Sequence, residues 1–361
     1  MDIEMLRERA RIIQQIRSFF NERNYLELDT PLLSPDLIPE TCLEVFETCR
    51  ILPNGDSHPL WLIPSPEIWM KKIIAKHRVS VYQICKCFRN GESTGFLHSP
   101  EFTMLEFYTV NAGYLDSLLL TEDLFKYLIP NFITQRRGGT KDNEELEVSN
   151  EKQKNTSNYI PPSAFSAPPR LCVNNSEKKH FEKITVGEAF ARYAGFDLFA
   201  AAEKTGGLET EARRLGLDPP AGLGNAALYD LIFIHAVEPK LKQNQPIALL
   251  DYPAFVPCLA KQSTNGKTVE RWELYWNGIE LANCYSEETD PQRVREFFRR
   301  EAAAKESQAL VQHNIDHTYW KNFLSEPPFP ACSGVAMGLD RLIMLVLGRS
   351  TIDSVLPFPL E

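Results

Sequence analysis

Four stretches of this sequence set charged and hydrogen-bonding residues inside otherwise apolar, strand-like runs, and such breaks in a folding pattern mark chemistry. They are SPE (65–67), FRNGE through HSPEFTMLEFY (88–108), WELYWNGIELANCYSEE (272–288) and GVAMGLDR (334–341). Arg89 closes the run Cys85–Phe88, and a glycine-containing loop separates it from His98. A guanidinium is a planar fork that grips two phosphate oxygens, and Glu92 and His98 could hold a second phosphate or an exocyclic amine. Phe102 could stack on a purine. The plain alternative for Arg89 is a strand-edge ion pair. In FTMLEFY, alternation puts Phe102, Met104, Glu106 and Tyr108 on one strand face, either half-solvated surface or a pocket wall.

Glu273, Glu280 and Glu287 recur at intervals of seven, with Asn283 between the last two. Asn277-Gly278 is the strongest hairpin signal in the chain, and a turn there brings Glu273 and Glu280 together on adjacent strands. Like charges so placed repel unless a cation neutralises them, and carboxylates without Cys or His partners suit Mg²⁺. The alternative is a solvated acidic ribbon, but Trp272, Tyr275, Trp276, Ile279 and Leu281 make this stretch too apolar for one. Arg341 sits early in an apolar helix, where it must either pair with an acid such as Asp340 or bind an anion. Gly334, Ala336 and Gly338 before it let a ligand approach the backbone closely.

The elements that must position these groups begin with an amphipathic helix, in which Leu6, Ile13, Ile16 and Phe20 share one face with Ile12 and Phe19 beside them. A short strand around Tyr25, Leu26 and Leu28 follows, ended by Pro31 and Pro35. SPEIWMKKIIAK is helix-forming, and the flanking strands read as a hairpin with a long, mobile loop at NGESTG. Residues 136–180 are polar and rich in Pro, Gly and Ser; such a segment buries too little to offset its ordering entropy and is expected to be a disordered insertion. Beyond it, FEKITVGEAFARYAG resumes the fold, and 197–224 holds helix formers and turns. Asp290 and Pro291 start a helix as N-cap and first residue. CSGVAMGLDRLIMLVLG reads as a strand turning into a short buried helix ended by Gly348. Many strands on hairpin-like links predict an α+β fold, an antiparallel sheet flanked by helices. No GxGxxG or GxxxxGK[ST] is present, so any nucleotide is held without a Rossmann turn or a P-loop.

Composition bounds the function. The 361 residues have length for two average domains of about 150 residues each. With 39 Lys and Arg against 48 Asp and Glu, the net charge of −9 argues against a protein that chiefly coats phosphate backbones. No apolar run is long enough to span a membrane, and the charged N-terminus is not a signal peptide, so a cytoplasmic protein is expected. The eight cysteines show no CxxC pair or zinc spacing and are expected to be reduced and mostly buried.

Taken together, the stretches resemble the three signature motifs of class II aminoacyl-tRNA synthetases. ELDTPLL with Pro31 resembles motif 1, FRNGE through PEFTMLEFY motif 2, and GVAMGLDRLIML motif 3. SPE, PEFTMLEFY and GIELAN are closest to the lysyl branch, and the resemblance covers nearly everything outside 136–180. Motif 1 follows so closely on Met1 that an N-terminal anticodon-binding domain is not expected. That architecture, with GIELAN and CSGVAMGLDR, is similar to the elongation factor P lysine ligase family, in which lysine or (R)-β-lysine is attached to a lysine of elongation factor P. Three positions depart from the family pattern: Gly91 lengthens the motif 2 loop, Ser99 stands for an asparagine, and Cys284 for a glycine.

The resemblance implies a single class II catalytic domain over 1–361 and roles for its residues. Arg89 should grip the α-phosphate of ATP and Arg341 the γ-phosphate, with Phe102 on adenine opposite Arg341, and Glu92 and His98 completing the site. Glu273 and Glu280 match the Mg²⁺ pair. Glu67 should bind the backbone-side ammonium, with Ser65 and Asn283 nearby, while Glu106, Tyr108 and Glu287 hold the ε-ammonium. Ala336 stands where lysyl-tRNA synthetases have glycine, and one methyl group there is a selector between an α- and a β-amino acid worth about 1–3 kcal/mol. Motif 1 implies a homodimer. The alternative functions are an enzyme charging tRNA through the acceptor arm alone, against which the missing anticodon domain and the net charge weigh, and a non-catalytic binding module, against which Arg89, Glu273, Glu280 and Arg341 weigh together.

Overall fold

The structure is a computed structural model that describes residues 2–91, 95–129, 180–241, 245–324 and 326–359. The chain divides into two units, 1–129 with 181–361, and 130–180. The expected insertion at 136–180 lies outside the described residues except for His180, and the described helices and strands all belong to the first unit.

In chain order the helices are α1 (Ile3–Asn21), α2 (Glu67–His77), α3 (Tyr114–Leu128), α4 (Val186–Ala189), α5 (Leu198–Ala202), α6 (Gly207–Arg214), α7 (Asn225–Ile232), α8 (Pro291–Gln308) and α9 (Leu339–Val346). The strands are β1 (Leu26–Glu27), β2 (Leu33–Ser34), β3 (Glu47–Ile51), β4 (Ser57–Leu62), β5 (Val81–Phe88), β6 (Glu101–Val110), β7 (Glu182–Thr185), β8 (Ile247–Pro253), β9 (Thr268–Trp276), β10 (Ile279–Ser286) and β11 (Cys332–Gly338). Eight of them form one sheet in the order β1-β5-β6-β11-β10-β9-β8-β7, while β2, β4 and β3 form a small separate sheet. The centre of the large sheet is antiparallel, as expected, but both edge pairs, β1 with β5 and β7 with β8, are parallel. Among the described residues no helix is long and apolar enough to cross a membrane.

Alternation divides the sheet into two faces. One carries Tyr82, Leu105, Phe107, Trp272, Leu274, Ala282, Cys284, Val335 and Met337, all buried. It packs under α1, α3 and α9: Phe20 stacks on Tyr82 with ring centroids 4.7 Å apart, and the Trp272 indole donates to the Tyr114 carbonyl at 2.6 Å. Burying this much apolar surface is the main driving force of the fold. The opposite face is walled rather than covered. On one side α2 and α8 pack with Tyr108, Tyr319, Phe323 and Cys332, and on the other α4–α7 pack with Leu249 and Tyr275.

The sequence rules for local structure hold where they are strongest. Asn277 and Gly278 both take positive φ, 53° and 76°, in the turn between β9 and β10. Asp290 accepts from the amides of Gln292 and Arg293 at the start of α8, and Gly348 (φ 62°) follows α9. The buried face of α1 is rotated from the expected one. Met5, Arg9, Ile12, Ile16, Phe19 and Phe20 are buried, while Leu6 and Ile13 are only half-buried. The cysteines also differ from expectation. All seven described are free, but only Cys87, Cys284 and Cys332 are buried; Cys85 and Cys258 are half-buried and Cys42 and Cys49 exposed. Cys172 lies outside the described residues.

Arg9 displaces a hydrophobe from the core face because it has a partner there. Its guanidinium meets Asp340 Oδ1 at 2.7 Å and donates to Thr103 Oγ1 at 3.0 Å, while the Thr103 amide donates to Asp340 Oδ2 at 2.6 Å. This group ties α1 to β6 and to the start of α9. Removing one member of a buried pair leaves the other charge uncompensated, so Arg9→Met is expected to destabilise the protein by about 3–5 kcal/mol in urea unfolding. A change below about 1 kcal/mol would show that the pair contributes nothing net.

Candidate active site

The walled face of the sheet collects the chemistry. Strand register sets Gln83 opposite Glu106, Glu106 opposite Ala336, Ala336 opposite Asn283, and Asn283 opposite Glu273. A single row thus runs across five strands, with Phe102, Met104 and Tyr108 on the same face of β6. Glu280 belongs to this face as well. It lies opposite Tyr275, and the irregularity between Glu280 and Ala282 adds the extra residue that brings Glu280 and Asn283, three apart, to one side.

At one end of the face is an acidic pocket. Ser65, just before α2, donates to Glu106 Oε2 at 2.7 Å and accepts from the Glu67 amide at 3.0 Å; Tyr108 donates to Glu106 Oε1 at 2.8 Å. Glu287, which follows β10, is buried at 3% exposure. Gly334 has to be glycine: a Cβ there would collide with the Tyr108 ring and lie 2.6 Å from Glu287 Oε1. Burial and the charge of Glu67 push Glu106 up to about 8, and burial raises Glu287 to about 7 against the pull of Lys71. Asn283 donates to the Tyr285 hydroxyl at 3.0 Å, and its Oδ1 is buried with no hydrogen-bond partner among the described residues. Beside it, Cys284 points the other way, into the core, 3.2 Å from Ser333 Oγ, so its thiol does not narrow the pocket.

Lys71 is the pocket residue that periodicity did not reveal. One turn after Glu67 on α2, it is 1% exposed, with Nζ 2.5 Å from Glu67 Oε1 and 2.6 Å from Glu287 Oε2. Burial lowers its pKa, but Glu287 and Glu67 more than reverse this and leave it well above the usual lysine value. Nothing in KKIIAK marks the first lysine as the buried one except its i+4 spacing from Glu67. Glu40, on the segment between β2 and β3, was also missed. Burial first, then Glu67, raises it to about 7, and Arg89, Lys305 and Lys71 oppose the shift.

The arginines occupy the other end. Arg89 lies just beyond β5, and its guanidinium sits 5.3 Å from the Phe102 ring centroid. Arg341, in the first turn of α9, donates to the carbonyls of Leu97 at 3.1 Å and Glu280 at 2.9 Å. Asp340, the neighbour with which it could have paired, turns to Arg9 instead. Burial and Glu273 raise Glu280 to about 7, while Arg341, Arg271 and Arg89 lower it, so both guanidiniums and both carboxylates act within one site. Glu273 is engaged by Arg271 at 2.5 Å and by the Tyr275 hydroxyl at 2.8 Å. His98 is exposed, in the turn where its amide donates to the Gly95 carbonyl at 3.3 Å, and Glu92 lies outside the described residues.

Comparison with known proteins identifies the family. A family model described as tRNA synthetases class II (D, K and N) matches residues 3–361. The elongation factor P–(R)-β-lysine ligase of Histophilus somni (strain 2336) is 33% identical over 99% of this chain and 96% of its own. The proteins of the same name from Avibacterium paragallinarum and Vibrio vulnificus (strain YJ016) are 32% and 33% identical, each over 99% of this chain and 96% of theirs. With a family match over its length and relatives of this similarity end to end, the chain belongs to the class II tRNA synthetases of the D, K and N group and, among them, to the family of the elongation factor P–(R)-β-lysine ligases.

Proposed function

We propose that this protein activates lysine or (R)-β-lysine with ATP as an aminoacyl-adenylate and transfers the aminoacyl group to a lysine side chain of elongation factor P. The observation that carries the reading is one sheet face with carboxylates at one end and arginines at the other. An amino acid with two ammonium groups fits the acidic end, which turns its carboxylate toward the arginines and a nucleotide.

In this reading Glu67, with Ser65 and Asn283, binds the backbone-side ammonium, and Glu106, Tyr108 and Glu287 bind the ε-ammonium. Arg89 holds the α-phosphate and Arg341 the γ-phosphate, Phe102 lies under adenine, and His98 and Glu92 complete the nucleotide site. A substrate carboxylate oxygen attacks the α-phosphorus in line and pyrophosphate leaves. The acceptor amine then attacks the activated carbonyl, forms the amide, loses a proton and releases AMP. Catalysis is positioning and charge stabilisation without a covalent enzyme intermediate.

Glu280 and Glu273 suit Mg²⁺: they are oxygen donors on one face, and the charge of Glu273 adds to burial in raising the cost of ionising Glu280 until a cation arrives. Because Glu273 already accepts from Arg271 and Tyr275, Glu280 would carry the larger share of the metal. The ion would neutralise triphosphate charge. A single catalytic domain interrupted at 136–180, a homodimer built on motif 1 and a cytoplasmic location complete the proposal.

Incubating the protein with Mg-ATP, purified elongation factor P and either amino acid is expected to add one lysyl unit to the intact mass of the factor, without charging total tRNA in a parallel assay. No mass gain alongside charged tRNA would assign the chain to acceptor-arm charging instead.

A carboxyl must be ionised to receive an ammonium, and Glu106 and Glu287 are raised to about 8 and about 7. Affinity for the amino acid is therefore expected to rise with pH up to about 8 and then level, weakening by about tenfold per pH unit from about 8 to 7 and by up to about a hundredfold per unit below 7, where both carboxyls hold protons. Calorimetry at pH 7 in buffers of different ionisation enthalpy should register net proton release on binding; proton uptake would contradict the assignment.

Ala336 lies opposite both Glu106 and Asn283, and its methyl group stands between the two ends of the bound amino acid. Ala336→Gly is expected to shift the kcat/KM ratio of (R)-β-lysine to lysine toward lysine by about tenfold. An unchanged ratio would remove Ala336 from the specificity determinants.

A further inference from the structure

The substrate-binding reading leaves one buried side chain without a task. The Lys71 ammonium is 2.5 Å from Glu67 and 2.6 Å from Glu287, and lies 5.8 Å from the centre of the Tyr108 ring. A lysine with 1% exposure persists in an interior only where its charge is compensated. Here it bridges the carboxylates assigned to the two ends of the substrate, one on α2 and one after β10.

Charge counting gives the bridge a purpose. Glu67, Glu106 and Glu287, the acids assigned to the substrate, set three carboxylates against one resident cation, an excess of two negative charges; Glu40, a fourth acid in reach of Glu67, is offset by Arg89 and Lys305. A substrate with two ammonium groups brings the count to three against three. A monoammonium amino acid leaves one buried carboxylate uncompensated, and an uncompensated buried charge is strongly unfavourable.

We propose that Lys71 is a positioning and specificity-determining residue that fixes the places of Glu67 and Glu287, and so sets the pocket's demand at two ammonium groups. The proposal rests on the amino-acid reading of the site. Lys71 need not touch the substrate; it acts through the two carboxylates. Without it, Glu67 and Glu287 relax onto a single substrate ammonium, and the two ends of the substrate are no longer held separately.

The test is a double-substitution cycle in the full-length protein, read as KM and kcat for lysine- and (R)-β-lysine-dependent exchange of pyrophosphate into ATP, with thermal melting of every variant. With substrate bound, Lys71→Met leaves one negative charge in excess and Glu287→Gln one positive charge. Each is expected to raise KM by about ten- to a hundredfold, with kcat within about threefold. Lys71→Met combined with Glu287→Gln sets two carboxylates against two ammonium groups, and its KM is expected to fall below that of either single variant.

A packing role would not reverse sign in this way. A double variant whose KM is the product of the two single effects overturns the proposal, as does a folded Lys71→Met protein with unchanged KM. If Lys71→Met does not fold, the charge-balanced double variant against Glu287→Gln alone makes the same comparison, with a lower KM supporting the proposal and an equal or higher one overturning it. Wild-type protein without exchange dependent on either amino acid overturns the amino-acid reading itself, and the proposal with it.

Discussion

Everything on the candidate site's face depends on strand register. Side chains alternate with a period of two, so a one-residue slip between any neighbouring strands would send one of Glu106, Ala336, Asn283 or Glu273 into the apolar layer beneath. That layer enforces the alignment. Phe107, Val335, Cys284 and Trp272 lie opposite one another on the other face, and the same slip would turn the one on the displaced strand out of the core. The specification of the site is thus carried largely by residues that never reach it. The irregularity in β10 is a local adjustment to this rule: Glu280 and Asn283, at odd spacing, reach the same side through it.

On this frame the acids assigned to the substrate and the arginines keep to different ends, with Glu280 and Glu273 beside the arginines. Carboxylates from α2, β6 and the end of β10 gather at one end, and the arginines that follow β5 and open α9 gather at the other. From Tyr108 to Phe102 along β6 is a span of about 20 Å at strand rise, room for an amino acid and a nucleotide end to end. A zwitterionic substrate entering such a field is oriented before any hydrogen bond forms, because its ammonium groups and its carboxylate favour opposite ends. The raised values of Glu106, Glu280 and Glu287 follow from the same arrangement: without cationic ligands, the acidic groups sit buried among like charges.

Much of this was legible in the sequence because it rests on local rules. The Asn277-Gly278 turn, the Asp290-Pro291 helix start, the strand-to-helix passage at Gly338 and the shared face of Phe102, Met104, Glu106 and Tyr108 each need only a few neighbouring residues to specify them. What escaped was the pairing of charges across long separations. Arg9 reads as the polar side of an amphipathic helix until Asp340 and Thr103, far along the chain, are placed beside it. Lys71 reads as a solvated lysine until Glu287 is brought to it. The parallel pairings of β1 and β7 escaped for a related reason, since a two- or four-residue edge strand carries too little pattern to declare its direction.

The buried pairing of Arg9 with Asp340 and that of Lys71 with its two carboxylates differ in what depends on them. Arg9 and Asp340 close a structural joint, and hydrophobic residues of similar volume could in principle replace both. On the proposed reading, the Lys71 pair sits where apolar replacement would remove the site's chemistry, because there Glu67 and Glu287 have to remain available to cations. A pocket that must accept positive charge cannot be made apolar; it can only be balanced. A resident ammonium balances it in part, so the pocket holds its carboxylates in place while leaving a definite amount of negative charge for the ligand to meet.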